Sequence, residues 1–244
     1  MSAVLIIAGT DSSGGAGLTR DVAALAHFGV EALCAITAVT AQTDAAVLSV
    51  TRLPADMVRA QIAAALATGR VAAIKTGMLV NGAVVEAVAD SLPPHLPLIV
   101  DPVLAATSGG ELLDGAGVAA LITRLLPRAT LLTPNLSEAA LLLGTPVAST
   151  EDEVIAQGRA LCERGAAAVL MKGGHAQLPV ATDWLLTAEG ECHSFAAPRL
   201  AARRRGTGCA LATAIAAGMA AGLDRAAACA RAKSYVTELL MAGV

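Results

Sequence analysis

The sequence predicts an α/β fold in which a mostly parallel central sheet is flanked by helices on both faces. Short apolar runs alternate with longer Ala-rich runs over most of the 244 residues, which is typical of repeated βαβ units. Two extended segments, residues 182–186 and 191–195, flank a turn at Gly190 and predict an antiparallel hairpin at one edge of the sheet. A chain of this length suits one domain, so we expect residues 1–244 to form a single domain.

The alternation assigns the remaining elements in order. The short apolar runs predict parallel strands over residues 4–8, 32–37, 73–75, 97–100, 130–133 and 168–171. The longer runs predict helices over residues 17–28, 54–67, 82–91, 115–126, 137–143, 151–164, 208–222 and 225–241. Because strands and helices alternate, the strands are expected to lie parallel, with their carboxyl ends at a common edge.

Charge and composition exclude two classes of partner. The net charge is −3 and aromatic residues make up 2% of the chain, so there is neither a broad cationic surface nor a stacking platform for nucleic acid. The uncharged stretch 206–223 has the length of a membrane span. Its residues are mostly Ala, Gly and Thr, which predicts a buried helix, and we expect no membrane association.

Cysteine usage favours a reducing compartment. The five cysteines are scattered and form no Cys-x-x-Cys pair, which argues against a disulfide framework and a structural zinc site. Residues 4–8 lack a basic flank and pass directly into Gly9, so they are expected to form a buried strand rather than a signal peptide. We therefore expect a cytoplasmic protein.

The loop after the first predicted strand is rich in glycine. It reads Gly9-Thr10-Asp11-Ser12-Ser13-Gly14-Gly15-Ala16-Gly17. Such a loop can bring backbone N–H groups close to a ligand at a helix N-terminus. Gly9 and Gly14 have the spacing of a Walker A motif, but Gly15 stands where lysine is required. The alternative to a binding loop is a tight turn in which Ser12 or Ser13 caps the helix.

Polar residues follow the other predicted strands, at the edge where parallel sheets bind ligands. Gln42 carries an amide that suits the edge of a heterocycle, or is merely solvated. Asp101 is placed to hold Mg²⁺, or to cap a turn. Asn135 and Glu138 converge at a helix start, or simply cap that helix. Lys172 precedes two glycines and suits a phosphate, or is a solvated lysine in a turn.

The turn Gly206-Thr207-Gly208-Cys209 precedes a long predicted helix. The N–H groups of residues 207–209 would point at one spot and form an anion hole for a phosphoryl group in transfer. Cys209 would lie in the first helical turn, where the dipole lowers the pKa of a thiol from about 8.5 and lets it act as a weak base. Inert packing is the alternative for this cysteine.

Together these residues closely resemble the hydroxymethylpyrimidine/phosphomethylpyrimidine kinases of thiamine biosynthesis, which have a ribokinase-like fold. The resemblance spans nearly the whole chain. The segments that carry it occur in the family's order and are residues 8–17 with Asp21, 37–42, 75–79, 101–103, 133–138, 172–175 and 206–209. One such segment would be weak evidence, whereas the complete ordered set is specific.

The resemblance implies an enzyme that uses ATP and Mg²⁺. It would phosphorylate the hydroxymethyl group of 4-amino-5-hydroxymethyl-2-methylpyrimidine and then phosphorylate the resulting monophosphate to the diphosphate. A homodimer is also implied by the family.

The resemblance also implies roles for particular residues. Gln42 would read the aminopyrimidine edge, and the rest of the acceptor pocket would be lined by Gly9, Ala16, Asp21, Met78 and Val103. Mg²⁺ and the phosphates would be organised by Asp101, Asn135 and Glu138, with Lys172 on the phosphates of ATP. The anion hole would be formed by Thr207 and Gly208 after Gly206, with Cys209 as the catalytic base.

Two alternatives remain. Pyridoxal kinases share the ribokinase-like fold and a similar glycine turn, so pyridoxal is a competing acceptor. A regulatory protein that binds a pyrimidine without turnover would retain Gln42. The flanks of Cys209 favour it, because Arg203-Arg204-Arg205 and Ala210 replace the Asn-Thr-His-like stretch and the threonine usual in the family. The joint retention of Asp101, Glu138, Lys172 and Cys209 argues against it, because sensing a ligand needs no metal and phosphate apparatus.

Overall fold

A computed structural model of the chain describes residues 2–105, 110–173, 180–200 and 204–242. Parts of the predicted site lie outside these ranges. They are the segment Thr107-Ser108-Gly109 after Asp101, the pair Gly174-His175 after Lys172, and Arg203.

Eight strands of the described ranges form one sheet, and two others form a separate hairpin. In chain order they are β1 (Ala3–Ala8), β2 (Glu31–Ile36), β3 (Ala38–Gln42), β4 (Val47–Arg52), β5 (Val71–Thr76), β6 (Leu98–Val100), β7 (Leu131–Leu132), β8 (Ala168–Met171), β9 (Val180–Thr187) and β10 (Cys192–Pro198). The large sheet has the order β10-β9-β8-β7-β6-β5-β1-β2. The six neighbouring strands β2, β1, β5, β6, β7 and β8 are parallel, whereas β9 and β10 run antiparallel at one edge. This confirms the predicted sheet and its edge hairpin.

Helices connect the parallel strands. They are α1 (Gly17–His27), α2 (Ala55–Ala67), α3 (Gly82–Ser91), α4 (Gly115–Ala120), α5 (Leu136–Leu143), α6 (Glu151–Glu163), α7 (Thr207–Ala220) and α8 (Arg225–Met241). The helix predicted over residues 115–126 is α-helical only in its first half, because it continues as a π turn (Leu121–Leu125) and a 3-10 turn (Leu126–Arg128). Five helices begin at a side chain that accepts a backbone N–H bond, which fixes where they start. These N-caps are Asn81, Asp114, Asn135, Thr150 and Asp224.

Each face of the sheet carries its own apolar core. Helices α2 to α6 cover one face, where Ile62, Val85 and Leu161 are fully buried. Helices α1, α7 and α8 cover the other face, where Leu25 and Ile215 are fully buried. The small side chains of α7 pack it closely against the strands, as expected for a buried helix with much Ala and Gly. Within the described ranges, no helix has the length and apolarity needed to cross a membrane.

The hairpin of β3 and β4 corrects the sequence-based assignment. Residues 40–42 are expected in a loop after the second strand, but Gln42 ends a strand that pairs antiparallel with β4. The signal is weak because every residue of β4 from Leu48 to Arg52 is exposed, so no buried face imposes an apolar alternation. The hairpin lies beside the end of β1, where Thr10 N donates to Ala38 O at 2.9 Å.

The strand order reverses at β1. Strand β2 lies on one side of β1 and β5 on the other. The connection after β1 therefore leaves towards β2, whereas the connection after β5 leaves in the opposite direction, towards β6. A crevice opens at such a switch point, at the carboxyl ends of the strands. The residues after β1 and β5 therefore lie at the position where an open α/β sheet binds its ligand.

Candidate active site

The glycine loop after β1 folds back against its own strand. Gly17 has a φ of +59°, and a Cβ at this position would lie 2.6 Å from the carbonyl oxygen of Gly9. Only glycine fits such a position. The loop is not the serine-capped turn considered above, because the N-cap of α1 is Ala16 and no side chain caps the helix. Ser12 and Ser13 instead bond to Gln42 and Asp11.

This loop contacts β3 and also Met78, which follows β5. A Cβ at Gly9 would lie 3.0 Å from Met78 Sδ, so glycine makes room for the methionine side chain. Thr37 Oγ1 donates to the Met78 carbonyl oxygen at 2.6 Å and holds that backbone. Ser12 Oγ donates to the Gln42 carbonyl oxygen at 2.9 Å and accepts from its N–H at 2.8 Å. Gly9, Met78 and Gln42 are thus brought to one place, as expected for an acceptor pocket.

The Gln42 amide is oriented by its own strand. Thr40 Oγ1 lies 3.2 Å from Gln42 Oε1 and 2.8 Å from the Thr10 carbonyl oxygen. Gln42 is partly exposed, whereas Thr40 is buried. Contact with the Thr40 hydroxyl restricts the direction of the Gln42 amide, which can both donate and accept hydrogen bonds.

A buried ion pair lies beneath the pocket. Lys75 of β5 and Asp21 of α1 are both fully buried, with Lys75 Nζ 2.8 Å from Asp21 Oδ2. Thr213 of α7 donates to the other carboxylate oxygen at 2.8 Å. Burial raises the pKa of Asp21 above its ordinary value, and the Lys75 ammonium and the bonds from Lys75 and Thr213 oppose this rise only in part. Burial lowers the pKa of Lys75, but the nearby negative charges outweigh it and hold the pKa above its ordinary value.

A second cluster lies where β6, β7 and β8 end. Lys172 Nζ lies 2.9 Å from Asp101 Oδ1 and 3.9 Å from Glu138 Oε2. The three side chains are 13%, 3% and 12% exposed, so the cluster is largely shielded from solvent. Burial raises the pKa of Glu138 to about 7 against the opposing effect of Lys172. The pKa of Lys172 is raised, because the two carboxylates outweigh the effect of its burial.

Asn135 and Glu138 do cap a helix, and the start of this helix adjoins the cluster. Asn135 Oδ1 accepts from the Glu138 N–H at 2.9 Å, and Glu138 Oε2 accepts from the Asn135 N–H at 2.8 Å. This capping box places the carboxylate at the start of α5, beside the Lys172 ammonium. The cap and the functional placement are therefore compatible, because the cap holds Glu138 in position.

The glycine turn before α7 connects the two regions. Gly206 is the N-cap of α7 with a φ of +74°, and no side chain caps this helix. A Cβ on Gly206 would collide with the Gly15 carbonyl oxygen and lie 3.0 Å from Ala16 Cα. A Cβ on Gly208 would lie 3.3 Å from Lys172 Nζ. The N-terminal turn of α7, with Thr207, therefore lies between the glycine loop and the Lys172 cluster, where its N–H groups can bind an anion.

The predicted lowering of the Cys209 pKa is wrong. Burial raises the pKa of this thiol to about 11, and the partial compensation from Lys75 is smaller. A single helix dipole acts over one turn and cannot offset the loss of hydration around the sulfur. Cys209 is therefore a thiol at neutral pH.

Two predicted pocket residues lie differently from the others. Asp21 is fully buried and engaged by Lys75 and Thr213, so it lies under the pocket. Val103 follows Asp101 and is half-buried, with its N–H donating to the Asp101 carbonyl oxygen at 2.9 Å. No role for Lys75 or Thr213 follows from the sequence pattern, because their partner is distant in the chain.

A lysine, two carboxylates and a helix N-terminus converge at the ligand-binding edge of a doubly wound sheet. Charge stabilisation of this kind is what transfer of a phosphoryl group requires. Fold and site together place the chain in the class of α/β phosphotransferases, with a ribokinase-like architecture.

The comparisons with known proteins agree with this class. The family model described as phosphomethylpyrimidine kinase matches residues 11–244. The hydroxymethylpyrimidine/phosphomethylpyrimidine kinase of Salmonella typhimurium is 46% identical, over 87% of this chain and 81% of that protein. The chain belongs to the phosphomethylpyrimidine kinase family.

Solved structures extend the similarity to the whole fold. The phosphomethylpyrimidine kinase of Clostridium difficile 630 superposes with a TM-score of 0.86 at 31% identity, covering 98% of this chain and 99% of that one. A pyridoxal kinase from Staphylococcus aureus, solved with AMP-PCP and pyridoxal, superposes with a TM-score of 0.88 at 27% identity, covering 98% and 88%. The fold is thus common to kinases of two different acceptors, and the acceptor is decided by the pocket.

Proposed function

We propose that this kinase phosphorylates 4-amino-5-hydroxymethyl-2-methylpyrimidine and then its monophosphate, with ATP as the phosphate donor. The observation that carries the proposal is the position of the α7 N-terminus between the Gln42 pocket and the Lys172 cluster. The residue that would recognise the heterocycle, Gln42, and the phosphate site at Lys172 then lie on either side of one anion-binding turn. The names of the most similar relatives, which are 39–46% identical, support this choice over pyridoxal.

In this proposal the acceptor lies against the glycine loop. Gln42 reads the aminopyrimidine edge, and Gly9, Ala16, Met78 and Val103 line the pocket. Asp21 contributes from beneath, because its carboxylate holds Lys75 in place under the pocket floor. A neutral amide suits an uncharged ring, since it both donates and accepts hydrogen bonds.

The phosphates of ATP are assigned to the Lys172 cluster. Lys172 and Asn135 contact the phosphates, and Asp101 and Glu138 hold Mg²⁺. The residues fit this metal, because magnesium in kinases is usually held by one or two carboxylates together with phosphate oxygens. When Glu138 is ionised, the two carboxylates beside one ammonium leave a net negative charge for a cation. Mg²⁺ bound there would neutralise charge that develops on the phosphates.

The α7 turn is assigned to the phosphoryl group in transfer. The N–H groups of Thr207, Gly208 and Cys209 donate to its oxygens, and Gly206 supplies the turn that aims them. Cys209 carries its proton at neutral pH, so only its small thiolate fraction can accept the hydroxymethyl proton, which leaves late in a loose transition state. The second acceptor is a phosphate monoester that is already anionic and needs no base.

The test is an assay of ADP release with the pyrimidine alcohol, its monophosphate and pyridoxal in parallel. We expect turnover of both pyrimidines and slower turnover of pyridoxal. Asp101→Asn is the matched loss-of-function control, because it keeps the side-chain size and removes the charge beside Lys172. Faster turnover of pyridoxal would transfer the assignment to pyridoxal kinase. The absence of turnover on all three would favour a non-catalytic pyrimidine-binding protein.

We further propose that the protein is a cytoplasmic homodimer. The exposed Val39 and Leu48 on the β3–β4 hairpin support a self-association surface, because large apolar side chains are usually covered in an assembly. Light scattering after size-exclusion chromatography measures the oligomeric state. Cell fractionation with a cytoplasmic marker measures the compartment.

A further inference from the structure

The guanidinium of Arg205 contacts two separate segments of the active site. Its Nη2 lies 3.0 Å from Asp11 Oδ2, in the loop between β1 and α1. Its Nη1 lies 2.8 Å from the Thr43 carbonyl oxygen and 3.3 Å from Asp44 Oδ1, in the turn between β3 and β4. Nη1 also lies 3.1 Å from Ser13 Oγ. One side chain thus joins the glycine loop, the hairpin turn and the turn that opens α7.

The strongest of these contacts is shielded from water. The Asp11 side chain is 3% exposed and that of Arg205 is 18% exposed, whereas Asp44 is 90% exposed. Asp11 Oδ1 also accepts from the N–H and the hydroxyl of Ser13, at 2.9 and 2.7 Å. Charge-assisted bonds between shielded groups are strong, whereas an exposed pair contributes little. Asp11 is therefore the main anchor and Asp44 a minor one.

These contacts favour a positioning role over phosphate binding. The shielded Asp11 carboxylate neutralises the guanidinium, which leaves little positive charge to attract an incoming phosphate. Both terminal nitrogens already donate to protein oxygens. An anion at this place would have to displace Asp11 from a shielded ion pair, which is costly.

The contacts also determine the spacing of the site. The α7 turn touches the glycine loop so closely that Gly206 accommodates no side chain against Gly15. The glycine loop in turn holds Gln42 through Ser12. Arg205 adds contacts from this loop and from the α7 turn to the hairpin. Gln42 and the N–H groups of the α7 turn are therefore held in place by the same side chain.

We propose that Arg205 is a positioning residue, a latch that holds the glycine loop and the β3–β4 turn against the anion-hole turn. Closure of the acceptor pocket is thereby coupled to alignment of the α7 N–H groups. The kinetic consequence rests on the proposed function, whereas the structural consequence does not.

The structural test is hydrogen exchange of the unliganded protein, followed in peptides that cover residues 9–17 and 40–48. Arg205→Ala is expected to accelerate exchange in both segments, and Arg205→Lys in both to a smaller degree. Arg204→Ala is the matched control, because Arg204 Nη1 donates to the Leu239 carbonyl oxygen at 3.2 Å, on α8. It should leave both segments unchanged. Acceleration confined to the α7 turn, or spread over the whole chain, would overturn the latch.

The kinetic test compares the acceptor with ATP. Arg205→Ala should raise the KM for the pyrimidine by about ten- to a hundredfold, the effect expected for a lost charged hydrogen bond, while the KM for ATP changes little. Asp11→Asn should add little to the rise in the KM for the pyrimidine when Arg205 is already alanine, because the contact between the two residues is then already lost. Additive losses, or equal changes in both KM values, would contradict the coupling. A wild-type protein without turnover would refute the proposed function alone and leave the exchange result standing.

Discussion

The pKa predicted for Cys209 from its sequence position differs from the pKa that the structure gives. Its position after a glycine turn suggests an activated thiol, but burial raises its pKa to about 11. The sulfur therefore carries its proton at neutral pH, and its contribution to proton removal is small. Its backbone N–H is unaffected by this and remains directed along the first turn of α7.

Replacement of Cys209 by alanine separates these two contributions. Cys209→Ala is expected to slow the phosphorylation of the alcohol by about tenfold and that of the monophosphate by less, because only the alcohol loses a proton. The measurement is kcat for each acceptor at saturating ATP. Equal losses in the two steps would exclude Cys209 as an acceptor for the proton.

Glu138 is the residue whose protonation should be visible in stability. Its pKa in the folded protein is raised to about 7 from 4.5, mainly by burial. The folded state therefore holds the proton more tightly than the unfolded state. The contribution of Glu138 to stability is full below about pH 4.5 and falls as the pH rises through about 7.

Glu138→Gln should remove this pH dependence. The variant keeps a side chain that can accept the Asn135 N–H but no longer ionises. The measurement is the free energy of unfolding by urea between about pH 5 and 8, without ATP or Mg²⁺. Glu153→Gln is the matched control, because Glu153 holds the same capping-box position on α6 and its hydrogen bonds with Ser149 lower its pKa. Glu153 stabilises the fold when ionised, and this contribution is lost only as the pH falls below the range measured. Glu153→Gln should therefore keep the wild-type trend, which comes from Glu138. A wild-type profile unchanged in Glu138→Gln would contradict the raised pKa.

At the scale of elements, the site depends on how two helices begin. Helices α1 and α7 start without a side-chain cap, whereas α5 and α6 start with capping boxes. The two uncapped starts adjoin the glycine loop and the Gly206 turn, which pack against each other. Glycine is required there by both a left-handed backbone and a close approach.

The Gly206 turn can be tested against a glycine with the same backbone but open surroundings. Gly206→Ala should destabilise by more than about 2 kcal/mol and abolish most activity, because strain and collision add. Gly222→Ala has a φ of +87° and no atom within 4 Å of the added Cβ, so only strain of about 1 kcal/mol is expected. Unfolding midpoints and kcat/KM report the two effects. Equal stability losses would mean that the close approach to Gly15 is unimportant.

At the scale of the whole molecule, one buried ion pair joins three elements. Lys75, Asp21 and Thr213 connect β5, α1 and α7 in the core of one sheet face. The single tryptophan, Trp184, lies in the core of the opposite face. If residues 1–244 form one domain, as predicted, they unfold cooperatively. A substitution at Lys75 then shifts the unfolding transition that Trp184 fluorescence reports.

Lys75→Met should lower the free energy of unfolding by about 3–5 kcal/mol, because Asp21 is left buried without its partner. Lys75→Met combined with Asp21→Leu should recover part of the loss. Urea unfolding is followed by circular dichroism and by Trp184 fluorescence. Arg124→Met is the control, because its exposed pair with Asp90 should contribute less than about 1 kcal/mol. Transitions that separate between the two probes would refute the single domain.

Much of the fold was predictable because its signals are local. The limits of α3 and α8 and of strand β8 agree with the apolar patterning to the residue. The β3–β4 hairpin was not predictable, because its outer strand is exposed and carries no buried face. The continuation of α4 as a π turn likewise depends on packing rather than on helix propensity.

The sequence by itself determined the alternation of strands and helices and the polar residues at the strand ends, since both follow from short-range patterns. It thereby determined that Asp101 and Lys172 would share one edge, whereas Gln42 is carried by the hairpin that was not predictable. Only the tertiary structure decided the pairing of Lys75 with Asp21, the Arg205 contacts with Asp11, and the raised pKa of Cys209. The physical reason is that ion pairing and hydration depend on which distant residues exclude water from a group, and spacing along the chain does not contain that information.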